Sequence, residues 1–247
     1  MFEDDNAFET RRRNDLAKMS ADKEFRQQSV EWFRGSIVHR YSYNFRWMGL
    51  PIIQYPADIV AMQELIWSVR PRCIVETGIA RGGSLVFYAS MLKLLCEDGF
   101  AIGVELALGE ENRRLLSTHP MADRTRIVDG SSVDPAVVDK VASLVDGQGP
   151  VLVVLDSNHG HQHVLDELRL YSPLVGKESY IVVFDTVVED LPADLFAARP
   201  WAPGDNPKTA VHEFLKENSR FEIDTNFNDR LMLSVAPDGF LRCTADP

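Results

Sequence analysis

From Pro56 onward the chain alternates short apolar runs with longer stretches in which apolar residues recur at helical spacing. Residues 57–70 set Ile59, Val60, Met62, Leu65, Ile66 and Val69 at that spacing, and Pro71 stops the helix. The pattern then predicts strands at 73–77, 101–105, 125–128, 151–156 and 180–185, separated by helices at 84–97, 110–118, 134–146 and 161–175. Several of these strands are unbroken runs of β-branched residues, which a parallel sheet covered on both faces requires. Strand and helix repeated in this way predict a doubly wound, mostly parallel α/β sheet over residues 56–247. A helix is expected near 207–218. The runs 231–235 and 239–243, joined by Ala236-Pro237-Asp238-Gly239, read as a closing antiparallel hairpin.

Residues 1–55 lack this rhythm and read as an N-terminal helical and loop extension. Residues 1–20 are polar and charge-dense, so they are expected to be poorly ordered or to pack on a partner subunit. An amphipathic helix is expected over 22–34. The aromatic segment 41–48, broken after it by Gly49 and Pro51, reads either as a loop over the core or as a lid on a small-molecule site. Residues 187–207 hold four prolines in a long irregular connection, which points to a functional or mobile loop.

Charge narrows the partners. The net charge of −11 disfavours polyanionic ligands, and the Arg11-Arg12-Arg13 run is flanked by acidic residues, so neither a nucleic acid nor an anionic membrane is expected. Three widely spaced cysteines fit neither a disulfide framework nor a zinc site. With no apolar run of about 18 residues and an acidic start, the expected location is the cytoplasm.

Ligands of open α/β sheets bind beyond the carboxyl ends of the strands. Those ends carry Glu76, Glu105, Asp129, Asp156 and Asp185. The first opens a turn with Gly78, Gly82, Gly83 and Ser84, in which glycines let backbone approach a ligand. A dinucleotide site has the spacing G-x-G-x-x-G, whereas this turn has G-x-x-x-G-G. Glu76 would oppose a pyrophosphate and suit an amino group, so the turn favours S-adenosylmethionine over a nicotinamide cofactor. Glu105 is placed to accept from a ribose diol. The Asp129–Asp134 segment reads mainly as a helix cap, with Ser131 and Ser132 also bordering an adenine. Asp156 and His159 offer a carboxylate and a base with a near-neutral pKa in one cavity, while His161 and His163 read as surface or packing residues. Asp185 is expected to join Asp156 around Mg²⁺.

The segments 74–85 and 131–140, the motif Val154-Leu155-Asp156-Ser157-Asn158-His159-Gly160-His161-Gln162-His163-Val164 and the tail 236–242 resemble the cephalosporin hydroxylase/rhamnosyl O-methyltransferase family. The entry Gly49-Leu50-Pro51-Ile52-Ile53-Gln54-Tyr55-Pro56 and the later 206–211 do so too, so the resemblance spans about residues 45–243. It implies a Rossmann-like methyltransferase domain that uses S-adenosylmethionine, often with Mg²⁺, on hydroxyls of sugars or antibiotic-like molecules, commonly as a homo-oligomer. Carried over, Glu76, Gly78 and Gly82 would hold the methionyl end and Glu105 the ribose. Asp156 and Asp185 would ligate metal, with His159 as general base. The family usually ends its fifth strand with Glu-Asp, and this chain has Phe184-Asp185. Either Mg²⁺ binds with an extra water or with a substitute such as Glu189, or metal dependence is lost. A non-catalytic cofactor-binding member and a nicotinamide-dependent oxidoreductase are the rival readings.

Overall fold

The computed structural model describes residues 4–145 and 147–247. The N-terminal helices are α1 (Asp5–Ala21) and α2 (Lys23–Val38), each started by an aspartate whose carboxylate accepts from a backbone N–H of the first turn. A small antiparallel ladder of β1 (Phe45–Trp47) and β2 (Leu50–Ile52) leads into α3 (Pro56–Val69), which begins with proline at its first helical position and ends at Arg70 in a left-handed conformation. The regular part follows as β3 (Cys73–Thr77), α4 (Gly83–Leu95), β4 (Phe100–Glu105), α5 (Glu110–Ser117), β5 (Thr125–Asp129), α6 (Pro135–Val145), β6 (Val151–Leu155), α7 (His161–Tyr171) and β7 (Tyr180–Val183). The chain closes with α8 (Pro207–Glu217), β8 (Phe221–Ile223), α9 (Thr225–Arg230) and β9 (Phe240–Cys243).

Among the described residues seven strands form one sheet in the order β5-β4-β3-β6-β7-β9-β8, parallel from β5 to β7, with β9 antiparallel to both its neighbours. This is the doubly wound sheet that the apolar runs predict. Side chains alternate across it. Ile74, Leu152, Val154, Val182 and Phe184 enter one core with α3, α4 and Phe33 of α2, while Val75, Val153, Leu155, Ile181 and Val183 enter another with α6, α7 and α8. Leu50, Ile52 and Tyr55 belong to the first of these cores, so the extension is packed into the sheet's covering layer.

Three expectations are corrected. The first concerns poor order over residues 1–20: residues 5–21 are helical, although none of their side chains is buried. The Asp4 cap and the Arg12–Glu9 pair support this helix locally, and it lies against α9; residues 1–3 lie outside the described residues. The second concerns the closing hairpin, which pairs β9 with β8, not with 231–235. The run 231–235 has no ladder because its polar backbone is engaged elsewhere. Val235 N–H donates to the Asp58 carboxylate at 3.0 Å, and its carbonyl accepts from Val187 N–H. The third concerns the predicted helix over 161–175. α7 gives way to a 3₁₀ turn at Ser172–Leu174, where Pro173 breaks the pattern, whereas α6 fills the expected 134–146 helix as far as Val145, residue 146 lying outside the described residues.

Candidate active site

The carboxyl ends of β3, β6 and β7 border a cleft of about 680 Å³, roofed by the end of α2, the 41–43 turn and the loop after β7. Gly78, Arg81 and Ser84 line one wall; Asp156, His159 and Asp185 line the other. The sequence expectations divide sharply between residues that reach this cleft and residues that support it.

Gly78 has φ 80°, and a Cβ there would collide with the Asp156 carbonyl, so glycine is what lets the first turn lie against the β6 turn. Gly82 and Gly83 face away from the cleft. A Cβ on Gly82 would meet the Leu116 side chain, and one on Gly83 would collide with the Pro51 carbonyl of β2. Their absent side chains therefore admit α5 and the extension. Glu76 points into the first core, fully buried beneath the turn and outside the cleft lining. Neither of its oxygens has a hydrogen-bond partner, and burial pushes its carboxyl up to about 8, with Ser84 nearby opposing and Glu105 adding to the rise.

Glu105 is already engaged. Its Oε2 accepts from Ile79 N–H at 3.1 Å and Ala80 N–H at 3.0 Å, holding the glycine turn in shape. Asp129 pairs with Arg113 on the surface, and Asp134 caps α6 by accepting from Ala136 N–H. Ser131 is partly exposed outside the cleft lining. Ser132 is buried against His163 Nε2 at 3.1 Å. His163 also meets Ser157 Oγ at 3.2 Å, and Ser157 donates to the fully buried Glu167 at 2.6 Å. His161 bonds Thr209 Oγ1 of α8 at 2.8 Å and lies 3.3 Å from Glu213. His161 thus ties α7 to α8, and His163 ties α7 to the turns after β5 and β6, as packing residues do.

Asp156, His159 and Asp185 present ligand atoms all within 4.8 Å of one another. His159 Nε2 is 3.4 Å from Asp185 Oδ2, and the imidazole lies edge-on to Trp201 with centroids 4.9 Å apart. Asp185 has left-handed backbone at φ 57°, a conformation that aspartate tolerates better than most residues and that recurs at functional sites. Burial, and then the charges of Asp185, Glu76, Glu167 and Asp58, push the Asp156 carboxyl well above the usual carboxylate range. Two carboxylates and an imidazole converging on one point suit a divalent cation, which would relieve the repulsion between Asp156 and Asp185. Phe184 is buried in the first core, and Glu189 offers no replacement: it accepts from Gly204 N–H at 2.7 Å and from the Asn206 amide, and stands outside the cluster.

Pattern reasoning overlooked several residues here. Gln54, 6% exposed, donates from Nε2 to Asp156 Oδ2 at 3.0 Å, while its Oε1 is buried without a partner. Trp201 braces His159. Arg40 and Arg199 line the cleft. No spacing marks any of them; the one available signal is a polar residue interrupting the apolar run before Pro56. The aromatic segment turns out to be mostly core cover, with Trp47 against Phe87 and bonded to Ser90 Oγ, and Ser42 and Tyr43 at the cleft.

A family model described as Rhamnosyl O-methyltransferase/CmcI matches residues 39–244. The rhamnosyl O-methyltransferase of Mycobacterium tuberculosis (strain ATCC 25618 / H37Rv) is 25% identical over 213 residues, which cover 85% of this chain and 82% of that protein. The rhamnosyl O-methyltransferase of Mycobacterium leprae (strain TN) is 24% identical over 216 residues, covering 85% and 87%. Among solved structures, a CmcI structure with Mg and SAM aligns with a TM-score of 0.58 at 18% identity over 82% of this chain and 78% of that one. The O-methyltransferase TomG from Streptomyces achromogenes, in complex with SAM, aligns at 0.53 and 15% identity over 88% and 90%. These two share the fold.

Proposed function

Since the chain belongs to the Rhamnosyl O-methyltransferase/CmcI family, we propose that it transfers the methyl group of S-adenosylmethionine to a hydroxyl of a small molecule of sugar or natural-product type. The observation that carries this reading is the meeting of Asp156, His159 and Asp185 on one wall of a cleft whose other wall is the turn from Gly78 to Ser84. A hydroxyl acceptor is supported by the name of the mycobacterial relatives, rhamnosyl O-methyltransferase.

The sulfonium methyl is already activated, so the protein has to align the acceptor and accept its proton. As the acceptor oxygen bonds to the methyl carbon and the carbon–sulfur bond breaks, His159 Nε2 takes the hydroxyl proton and S-adenosylhomocysteine leaves. Asp185, 3.4 Å away, stabilises the imidazolium, and Trp201 fixes the ring's orientation. Gly78 and Ser84 line the cleft where the methionyl end would lie. Asp156 and Asp185 would hold a divalent cation, Mg²⁺ in the first instance, whose chemistry is to lower the pKa of the acceptor hydroxyl.

Calorimetric titration with S-adenosylhomocysteine and with NAD⁺ tests the cofactor reading. The first is expected to bind and the second to be silent; the reverse would sink it. Methyl transfer to a panel of glycosides and phenols, with and without a chelator, then tests the activity. Binding of S-adenosylhomocysteine with no transfer to any acceptor would identify a cofactor-binding protein without this reaction.

A further inference from the structure

Arginines on the outer surface of this acidic chain are commonly neutralised: Arg113 pairs with Asp129, Arg169 with Glu217 and Arg242 with Glu222. Three arginines that line the cleft are not. Among the described residues Arg40, Arg81 and Arg199 have no carboxylate partner. Arg40 lies over the Tyr43 ring at 4.3 Å, and Arg199 lies 5.4 Å from the Trp201 ring centroid. Such stacking steadies a guanidinium while leaving its N–H edge free, the form in which arginine accepts a carboxylate bidentately. Arg40 also holds a left-handed backbone at φ 51°, at the junction of α2 and the 41–44 turn.

The cleft is therefore polarised. Asp156 and Asp185 occupy its inner wall, and unpaired guanidinium groups stand beside Tyr43, Leu195, Phe196 and Trp201. An acceptor with an anionic end would be drawn to the arginines, leaving its hydroxyl toward His159. A neutral acceptor gains nothing from leaving these cations unpaired in a chain of net charge −11.

We infer that Arg40 and Arg199 recognise a carboxylate on the acceptor, whose remaining body is a ring or another apolar framework carrying the hydroxyl. The inference rests on the methyltransferase reading for the role of the hydroxyl. Arg81, on the cofactor turn, belongs to the opposite wall and is not assigned to the acceptor.

The probes are 6-hydroxy-2-naphthoate and its methyl ester, which differ in charge and little in shape. Both are titrated into the full chain by saturation-transfer NMR, with and without S-adenosylhomocysteine, so the outcome does not depend on cofactor binding. The acid is expected to bind about tenfold more tightly than the ester, the scale of one partly solvated charge-assisted contact, and added salt should weaken the acid alone. Arg40→Met and Arg199→Met keep an apolar stem over each ring and should each raise the acid's Kd about tenfold while leaving the ester's unchanged. Equal binding of acid and ester, failure of both to bind, or equal weakening of both by the substitutions would overturn the inference. Binding of S-adenosylhomocysteine without acid preference defeats this inference alone. Acid preference without S-adenosylhomocysteine binding supports the anion site and defeats the methyltransferase reading instead.

Discussion

The two halves of the sheet's carboxyl edge use the same residue types differently. At β3 and β4 the carboxylates serve the protein: Glu76 is sealed below the turn, and Glu105 clasps the N–H groups of Ile79 and Ala80. At β6 and β7 Asp156, His159 and Asp185 turn polar atoms toward a cavity. The difference lies in the backbone. Beyond β3 a left-handed turn offers free N–H groups for Glu105 to satisfy. Beyond β7 the 3₁₀ turn at Thr186–Asp190 is anchored by Val187 N–H and Thr186 Oγ1 on Val235 and Pro237 carbonyls, which leaves Asp185 its own oxygens. An acidic residue at a strand end is available to a ligand only where no local donor claims it.

The sharpest way to break this contrast is His159→Ala. Turnover should fall by about 10²–10⁴-fold, the usual worth of a general base, while S-adenosylhomocysteine binding by calorimetry stays unchanged. Unaltered turnover would remove His159 from the role and the β6–β7 half from its lead. Gly83→Ala probes the supporting half, because its added methyl must displace the Pro51 carbonyl. A loss of about 3 kcal/mol in urea unfolding is expected, overpacking against backbone being at the upper end of its range. A smaller effect concerns Asp58, whose burial pushes its carboxyl up to about 7 against the hydrogen bonds from Ser234 and Val235. The folded state holds this proton above the pH at which the unfolded chain releases it. Its stability is therefore present below about pH 4 and lost as pH rises through about 7. Asp58→Asn should flatten that decline by on the order of 2 kcal/mol, read as unfolding free energy between about pH 5 and about pH 8. An undiminished slope would assign the decline to Glu76 and Asp156.

Much of the sheet was legible. Continuous β-branched runs gave β3 to β7 within two residues at each end, since a strand buried on both faces has little freedom in composition. The pair of carboxylates and the histidine after β6 were legible too, because strand-end position and residue type suffice. Other features were decided by tertiary contacts. The run 231–235 has a strand's composition, yet Asp58, a residue distant in sequence, takes its N–H. Gly82 and Gly83 look like ligand glycines, and only Leu116 and Pro51 reveal why a Cβ is excluded. Arg40, Gln54, Arg199 and Trp201 come from separate segments with no shared spacing, so no window of sequence holds this part of the cleft lining. α1 was misjudged for a different reason: it is a helix without an apolar stripe, and periodicity is silent about such helices.

The hydrogen bond from Gln54 to Asp156 links the extension to the carboxyl end of β6. For the stretch from β2 to α3 to detach, Asp156 would have to give up that donor, and the Gln54 side chain would have to leave its enclosure. Any ligand that fixes Asp156 thereby raises the free energy of that local opening. Occupancy of the cleft is then recorded at a distance, as slower amide exchange in the segment that precedes the sheet.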